Sequence, residues 1–168
     1  MHDDKNLKSI EILKGRLNKE IREIYVTGFS EVRSDFNFFS TMDWWYYVEF
    51  EDCFLCIETS QTIGTIELHI HQNIQCNFEI QEDDIFTVKA INNTDYRGQK
   101  IVAYDLFYGV PDSELFAFGI QFEDPRTLDK RDRYVFFDSL TFDGIEVGDR
   151  RKRDRYLEDD RFYLEKLG

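Results

Sequence analysis

Apolar side chains recur at steps of three and four residues in the first part of the chain. The repeating positions are Leu7, Ile10, Leu13, Leu17, Ile21 and Ile24. This spacing places them all on one face of an α-helix. Asp3 or Asp4 can cap the start of the helix, and Gly28 is a suitable stop. We therefore predict an amphipathic helix over residues 1–28.

The hydrophobic period changes to two from about residue 44 onward. The alternating segments are residues 44–50, 66–71, 74–80 and 86–90. Such alternation is typical of antiparallel strands with one face in solvent. We predict a mainly antiparallel sheet of about eight or nine strands over residues 35–147. The predicted fold class is α+β, with the N-terminal helix packed on a rolled or sandwiched sheet.

Residues 148–168 form a charged C-terminal tail. Residues 149–155 are almost wholly charged. The apolar residues that follow them are Tyr156, Leu157, Phe162, Tyr163 and Leu167. We predict a short helix here, either solvated or folded back on the acidic sheet. A length of 168 residues suits one core, so the helix, sheet and tail are predicted to form a single domain over residues 1–168.

Charge is segregated along the chain. The sequence has 21 Lys and Arg against 34 Asp and Glu, a net charge of −13. Residues 34–125 hold 17 of these acids and only three bases, which are Lys89, Arg97 and Lys100. An acidic sheet repels nucleic acid and anionic membranes and attracts a basic surface. We therefore expect neither nucleic acid nor a membrane as a partner, and the basic run in the tail is balanced by neighbouring acids.

Signals for targeting and for redox chemistry are weak. The N-terminus lacks the apolar region of a secretory signal, and no apolar run approaches the ~20 residues of a membrane helix. Three cysteines do not indicate a disulfide framework. Cys53 and Cys56 form a C-x-x-C, but on a strand their side chains point to opposite faces. We expect a cytoplasmic protein without a redox pair.

Candidate catalytic chemistry is sparse. His69 and His71 are two residues apart on a predicted strand, so both imidazoles lie on one face beside Glu67, and they are weak candidates for metal ligands. The sequence has no G-x-S-x-G elbow and no Gly-rich phosphate loop. We predict no catalytic residues, no cofactor and no enzyme, with a metal-dependent enzyme using His69 and His71 as the less favoured alternative.

The leading hypothesis is a non-enzymatic acidic binding protein that masks a basic protein partner. The charge over the sheet exceeds what solubility requires. Small acidic proteins that neutralise nucleases, such as bacterial immunity proteins, place carboxylates in the cationic groove meant for phosphates, so a nuclease-type toxin is one partner class. The predicted partner-binding residues are Glu49, Glu51, Asp52, Glu58, Glu67, Glu79, Glu82, Asp83 and Asp84.

A second hypothesis is a small-ligand pocket inside a barrel-like sheet. The wall of such a pocket would be formed by Phe116, Phe118, Ile120 and Phe122, which alternate with small or polar residues. The aromatic stretch Trp44–Tyr47 also has two interpretations. It either packs in the core or presents an exposed pair that a partner could contact.

Overall fold

A computed structural model describes residues 4–32, 37–59, 64–91, 96–123, 133–141 and 143–168. These ranges contain two helices and ten strands. The helices are α1 (Asp4–Lys14) and α2 (Arg150–Leu157). The strands are β1 (Glu23–Val32), β2 (Asn37–Glu49), β3 (Phe54–Thr59), β4 (Ile66–His71), β5 (Asp84–Ala90), β6 (Ile101–Gly109), β7 (Leu115–Phe122), β8 (Tyr134–Asp138), β9 (Glu146–Gly148) and β10 (Phe162–Leu167). Neither helix of these ranges is long and apolar enough to cross a membrane.

The strands form two five-stranded sheets. The first sheet has the order β4-β3-β2-β1-β5, and the second has the order β10-β6-β7-β8-β9. Every pairing between neighbours is antiparallel. The predicted α+β fold with a mainly antiparallel sheet is therefore confirmed, although the described ranges hold more strands than predicted.

One apolar cluster fills the space between the inner faces of the two sheets. Its members include Val48, Leu55, Ile57 and Leu68 from the first sheet and Tyr104, Leu106, Phe118, Ile120 and Phe137 from the second. Tyr46 and Phe137 meet across the sheets, with ring centroids 5.8 Å apart. The sheets are thus sandwiched, and side chains occupy the space between them.

The predicted N-terminal helix is wrong over its second half. α1 ends at Lys14, Asn18 has a φ of 63°, and β1 follows from residue 23. Ile24 is buried as expected, but it reaches the core together with Val26, a step of two. Val26 and Thr27 are β-branched residues, which favour a strand. Long-range pairing with β2 and β5 therefore decides the structure of this segment, and the sheet begins near residue 23 instead of residue 35.

Gly28, predicted to stop the helix, lies inside β1 opposite Thr41 of β2. A Cβ atom at position 28 would collide with the Ser40 carbonyl oxygen of β2 and come within 2.9 Å of the Phe39 ring. Glycine at this position therefore permits a close approach of the neighbouring strand and does not end an element.

Residues 74–80, which the alternation predicts to be a strand, form no strand in the structure. They belong to residues 72–83, here called the strap, which connect β4 at one edge of the first sheet to β5 at the other edge. Ile74 and Phe78 of the strap pack with Trp45 and Tyr47 on the outer face of that sheet, away from the core between the sheets. The alternation therefore reflects a segment that lies across a sheet with one side buried.

The predicted packing of the N-terminal helix on the sheet is confirmed at the edge formed by β4. The Asn6 amide oxygen accepts from the Leu68 N–H at 2.7 Å, and the Asn6 amide nitrogen donates to the Ile66 carbonyl at 3.3 Å. The Ser9 hydroxyl donates to the Leu68 carbonyl at 2.6 Å. These side chains satisfy backbone groups that a further strand would otherwise pair with.

The tail contains the predicted short helix, α2, and then adds β10 to the second sheet beside β6. α2 packs on the outer face of the second sheet, where Tyr156 joins a cluster with Phe107 and Phe136. Arg153 Nε donates to Asp105 at 2.5 Å, and the Tyr156 hydroxyl donates to Asp138. The tail therefore docks on two acidic side chains of the second sheet and leaves the outer face of the first sheet uncovered by α2.

Candidate binding surface

The outer face of the first sheet brings together three of the predicted acidic residues. Glu58 on β3 lies directly opposite Glu67 on β4. Glu58 is two residues from Cys56, and Glu49 on β2 is two residues from Tyr47, and both of these neighbours belong to the outer cluster. Because side chains alternate along a strand, all three glutamates share this outer face. The structure thus assembles Glu49, Glu58 and Glu67 from three strands.

Glu58 and Glu67 have little compensating charge. His69 Nε2 lies 3.6 Å from Glu58 Oε2 and 3.4 Å from Glu67 Oε2. Lys5 of α1 lies 3.0 Å from Glu67. The two glutamate side chains are 36% and 33% exposed, so both are reachable from solvent. Like charges directly opposite on neighbouring strands destabilise a sheet, and this pair shares one lysine and one imidazole.

Glu49, the third glutamate of this face, has a neutral hydrogen-bond partner. It lies opposite Glu23 of β1, a buried carboxylate that forms an ion pair with Arg97. Glu49 itself accepts a hydrogen bond of 2.7 Å from the neutral Tyr25 hydroxyl. Burial, and then the hydrogen bond to Glu49, raise the pKa of Tyr25 to about 12. The Glu23 charge is therefore compensated, whereas Glu49 is held in place by a neutral partner.

The strap is anchored to the same face by aromatic side chains. The Tyr47 hydroxyl accepts from the Asn77 amide at 3.1 Å and from the Gln75 N–H at 3.3 Å. The Phe78 ring stacks on Trp45, with centroids 5.5 Å apart. These contacts fix the middle of the strap over β2 and leave its polar side chains outside.

Acidic residues of the strap extend the negative surface. Glu79, Glu82 and Asp83 are exposed, and Asp84 follows as the first residue of β5. The Asp84 N–H donates to the Gln81 carbonyl at 2.9 Å, which closes the turn. Among the residues that the structure describes, none of these four carboxylates has an ion-pair partner. The outer face and the strap together are called the acidic face below.

Glu51 and Asp52 belong to a different surface. They lie in the turn between β2 and β3 and line a cavity there. The basic residues of that cavity are Arg16, Lys19, Arg22 and Lys100. Arg16 donates to Asp52 at 2.8 Å, and this hydrogen bond lowers the pKa of Asp52. The structure therefore places these two predicted residues among cations, apart from the acidic face.

The two histidines share the outer face, as their spacing predicts. Their ring centroids are 6.0 Å apart, and burial, followed by the neighbouring His69, lowers the pKa of His71. Within the described ranges, no group of three His, Cys, Asp or Glu side chains could hold a metal ion. His69 Nε2 lies between the side chains of Glu58 and Glu67, within 3.6 Å of a carboxylate oxygen of each.

The aromatic stretch packs inside the protein and offers no exposed pair. Tyr46 belongs to the core between the sheets, whereas Trp45 and Tyr47 are covered by the strap. Cys53 and Cys56 lie in these same two clusters, on opposite sides of the first sheet, and both are free thiols. The predicted divergence of the C-x-x-C side chains is therefore confirmed.

The predicted ligand wall is wrong at Phe116. The register between β6 and β7 shifts where Tyr108 pairs with Leu115, and this irregularity turns Phe116 to the outer side of the second sheet. Phe118 and Ile120 do face inward, but they are fully buried in the core. These two side chains therefore pack in the apolar cluster between the sheets.

Sequence reasoning missed the anchoring role of Tyr47 and the docking role of Asp105. A signal for Asp105 was available, because it is the one charged residue in the apolar segment 101–109. A buried acid in such a run calls for a cationic partner, and Arg153 provides it. No comparable local signal identifies Tyr47, because its partners lie in the strap.

Comparisons of the chain with protein-family models, with curated proteins and with solved structures found no match. The described fold and surface define a two-sheet antiparallel sandwich with one acidic outer face.

Proposed function

We propose that this chain is a non-enzymatic binding protein whose acidic face masks a basic protein partner. One observation carries the proposal: Glu58 and Glu67 are held directly opposite each other, beside a strap whose acids have no ion-pair partner among the described residues. An arrangement of like charges lowers stability in the free protein. Cations of a partner would relieve this repulsion, and this relief would contribute to the free energy of binding.

The partner class follows from the charge and the shape of the acidic face. A surface of carboxylates on a sheet suits a groove lined by Lys and Arg, such as the substrate groove of a nuclease-type toxin. The same field repels nucleic acid and anionic lipid. Complementary charge also accelerates encounter, so association should be fast at low salt and slower as salt rises. Three free thiols support a reducing cytoplasm as the site of action.

Capture experiments with matched variants test the proposal. Wild-type protein would be immobilised and incubated with a lysate at low salt. The bound proteins would then be eluted with rising salt. In the test variant, Glu58→Gln, Glu67→Gln and Glu82→Gln remove three charges from the acidic face. In the control variant, three exposed acids of the turns beside the second sheet are neutralised by Asp112→Asn, Glu123→Gln and Asp143→Asn.

We expect one basic protein to bind the wild type and the control variant and to elute as salt rises. The test variant should bind it at least ten times more weakly, because one charged contact contributes about 1–3 kcal/mol. Equal loss in both variants would mean that only net charge matters. Equal retention in both variants would place the binding surface elsewhere.

A further inference from the structure

A cavity of about 600 Å³ lies where α2 meets residues of both sheets, and none of its lining residues belongs to the strap. Its lining comes from both sheets: Tyr46 of β2, Ile91 after β5, and β9 with the first two turns of α2. A volume of this size suits a small molecule. The cavity is independent of the acidic face and of the function proposed for it.

The rim of this cavity is basic, although the chain as a whole carries a net charge of −13. Arg151, Lys152 and Arg155 all line it. Lys152 is committed to its own carboxylates, since it pairs with Glu146 and lies 3.5 Å from Asp138. Arg151 and Arg155 are exposed and have no ion-pair partner among the described residues.

The two arginines are placed to act on one group. They are four residues apart on α2, so they lie on the same face of the helix with Cβ atoms about 6 Å apart. A guanidinium presents a planar fork of donors that matches an oxyanion. Two acids lie close to them in the chain. Asp149, which also lines the cavity, accepts the Arg151 N–H at 2.9 Å as the helix cap, and Asp154, next to Arg155, pairs with Arg153 at 3.4 Å. Two forks can therefore converge on a single dianionic group at the rim.

The floor of the cavity is apolar. Ile91 and Val147 are half-buried and pack against the core cluster. Tyr46 and Tyr96 also line the cavity. Their hydroxyl groups are hydrogen-bonded to the protein, since Tyr46 donates to Asp43 at 3.1 Å and Tyr96 donates to the Tyr134 carbonyl at 3.4 Å. The floor thus offers an apolar surface to the body of a ligand whose charged end lies at the rim.

We propose that this cavity binds a small organic phosphate monoester. Its phosphate lies between the guanidinium groups of Arg151 and Arg155, and its apolar body lies on the floor formed by Ile91 and Val147. A dianionic phosphate matches two arginine forks, whereas a single carboxylate matches one. The apolar body adds burial that inorganic phosphate lacks.

Isothermal titration at low ionic strength with phenyl phosphate tests this site. The comparison probes are inorganic phosphate, which lacks the apolar body, and benzoate, which lacks the dianionic group. The test variant is Arg151→Gln with Arg155→Gln. The matched control is Lys8→Gln with Lys166→Gln, which removes two exposed positive charges outside the cavity. Circular dichroism and thermal melting would be used to check that all variants are folded.

We expect phenyl phosphate to bind the wild type and the control variant with equal affinity. The Arg151→Gln/Arg155→Gln variant should bind at least tenfold more weakly, the loss expected for one charge-assisted hydrogen bond or more. Inorganic phosphate and benzoate should both bind more weakly than phenyl phosphate. Absence of phenyl phosphate binding, equal binding by the test variant, or equal binding of either comparison probe would overturn the proposal.

Discussion

Asp105 offers the sharpest test of how α2 is held on the second sheet. This side chain is 1% exposed on β6 and accepts hydrogen bonds from the Tyr134 hydroxyl at 2.7 Å and from Arg153 Nε at 2.5 Å. Its other carboxylate oxygen is buried without a partner. The proposed perturbation is Asp105→Ala, which removes the acceptor and leaves the Arg153 guanidinium, with 16% of its side chain exposed, with only the longer contact to Asp154 at 3.4 Å.

The expected loss is about 3–5 kcal/mol, the range for removing one member of a buried ion pair. A second, independent consideration agrees with this range of unfolding free energy. A hydrogen bond to a charged group contributes about 1.5–3 kcal/mol, and Asp105 accepts two of them. Tyr134→Phe removes only one of these bonds and should cost about half as much.

A double-mutant cycle built from Asp105→Leu, Arg153→Met and the two together separates the ion pair from simple packing. Because Asp105 is incompletely satisfied, the apolar double variant should be much closer to the wild type in unfolding free energy than Asp105→Leu alone is. The assay is urea unfolding followed by circular dichroism and by the fluorescence of the two tryptophans. A coupling energy below about 0.5 kcal/mol between the two positions would refute the reasoning, because separate sites are additive within that margin.

Three further predictions concern the edge of the first sheet, the thiols and alkaline pH. Asn6→Ala should lower the unfolding free energy by about 1–3 kcal/mol, because buried backbone groups of β4 lose their partners; Lys8→Ala on the exposed side of α1 is the control in calorimetry. Cys76 is exposed and should react quickly with a thiol reagent in the native protein. Cys56 should react only after unfolding, because burial raises its pKa to about 12, and fast modification of every thiol would contradict this. Burial and a neighbouring carboxylate raise the pKa of Tyr25 from 10.0 to about 12. The neutral phenol is therefore favoured in the folded state, so this contribution to stability is complete below pH 10 and is lost as the pH rises through about 12. Tyr25→Phe should reduce the pH dependence of the unfolding free energy over that interval; part of it should remain, because burial also raises the pKa of Tyr46 and Tyr47. An unchanged pH profile would count against this assignment.

The acidic face shows which parts of a binding surface can be predicted from local sequence pattern and which cannot. Alternation along β4 predicts that Glu67, His69 and His71 share one face of their strand, and the structure confirms this arrangement. The sequence could not show that Glu58 faces Glu67, because that register depends on the pairing of two strands. Nor could it separate Asp52 from the face, since its partner Arg16 is 36 residues away in the chain.

Local sequence pattern could not predict the secondary structure of the strap or of β1, and the physical reason is the same for both. A period of two describes any extended segment with one buried side, so residues 74–80 resemble a strand although they cross a sheet face without pairing. Apolar steps of four and three in residues 17–24 fit a helix, yet β1 is stabilised by pairing with β2 and β5 on either side.

The sequence by itself determined the α+β class, the antiparallel strands, the short helix in the tail and the concentration of acids in the middle of the chain. Each of these follows from side-chain periodicity or from composition, which are local properties. Only the tertiary structure decided the strand order, the docking of α2 on Asp105 and the cavity with Arg151 and Arg155 on its rim. These features depend on contacts between residues far apart in the chain, and such contacts form only when two faces with complementary shape and charge meet.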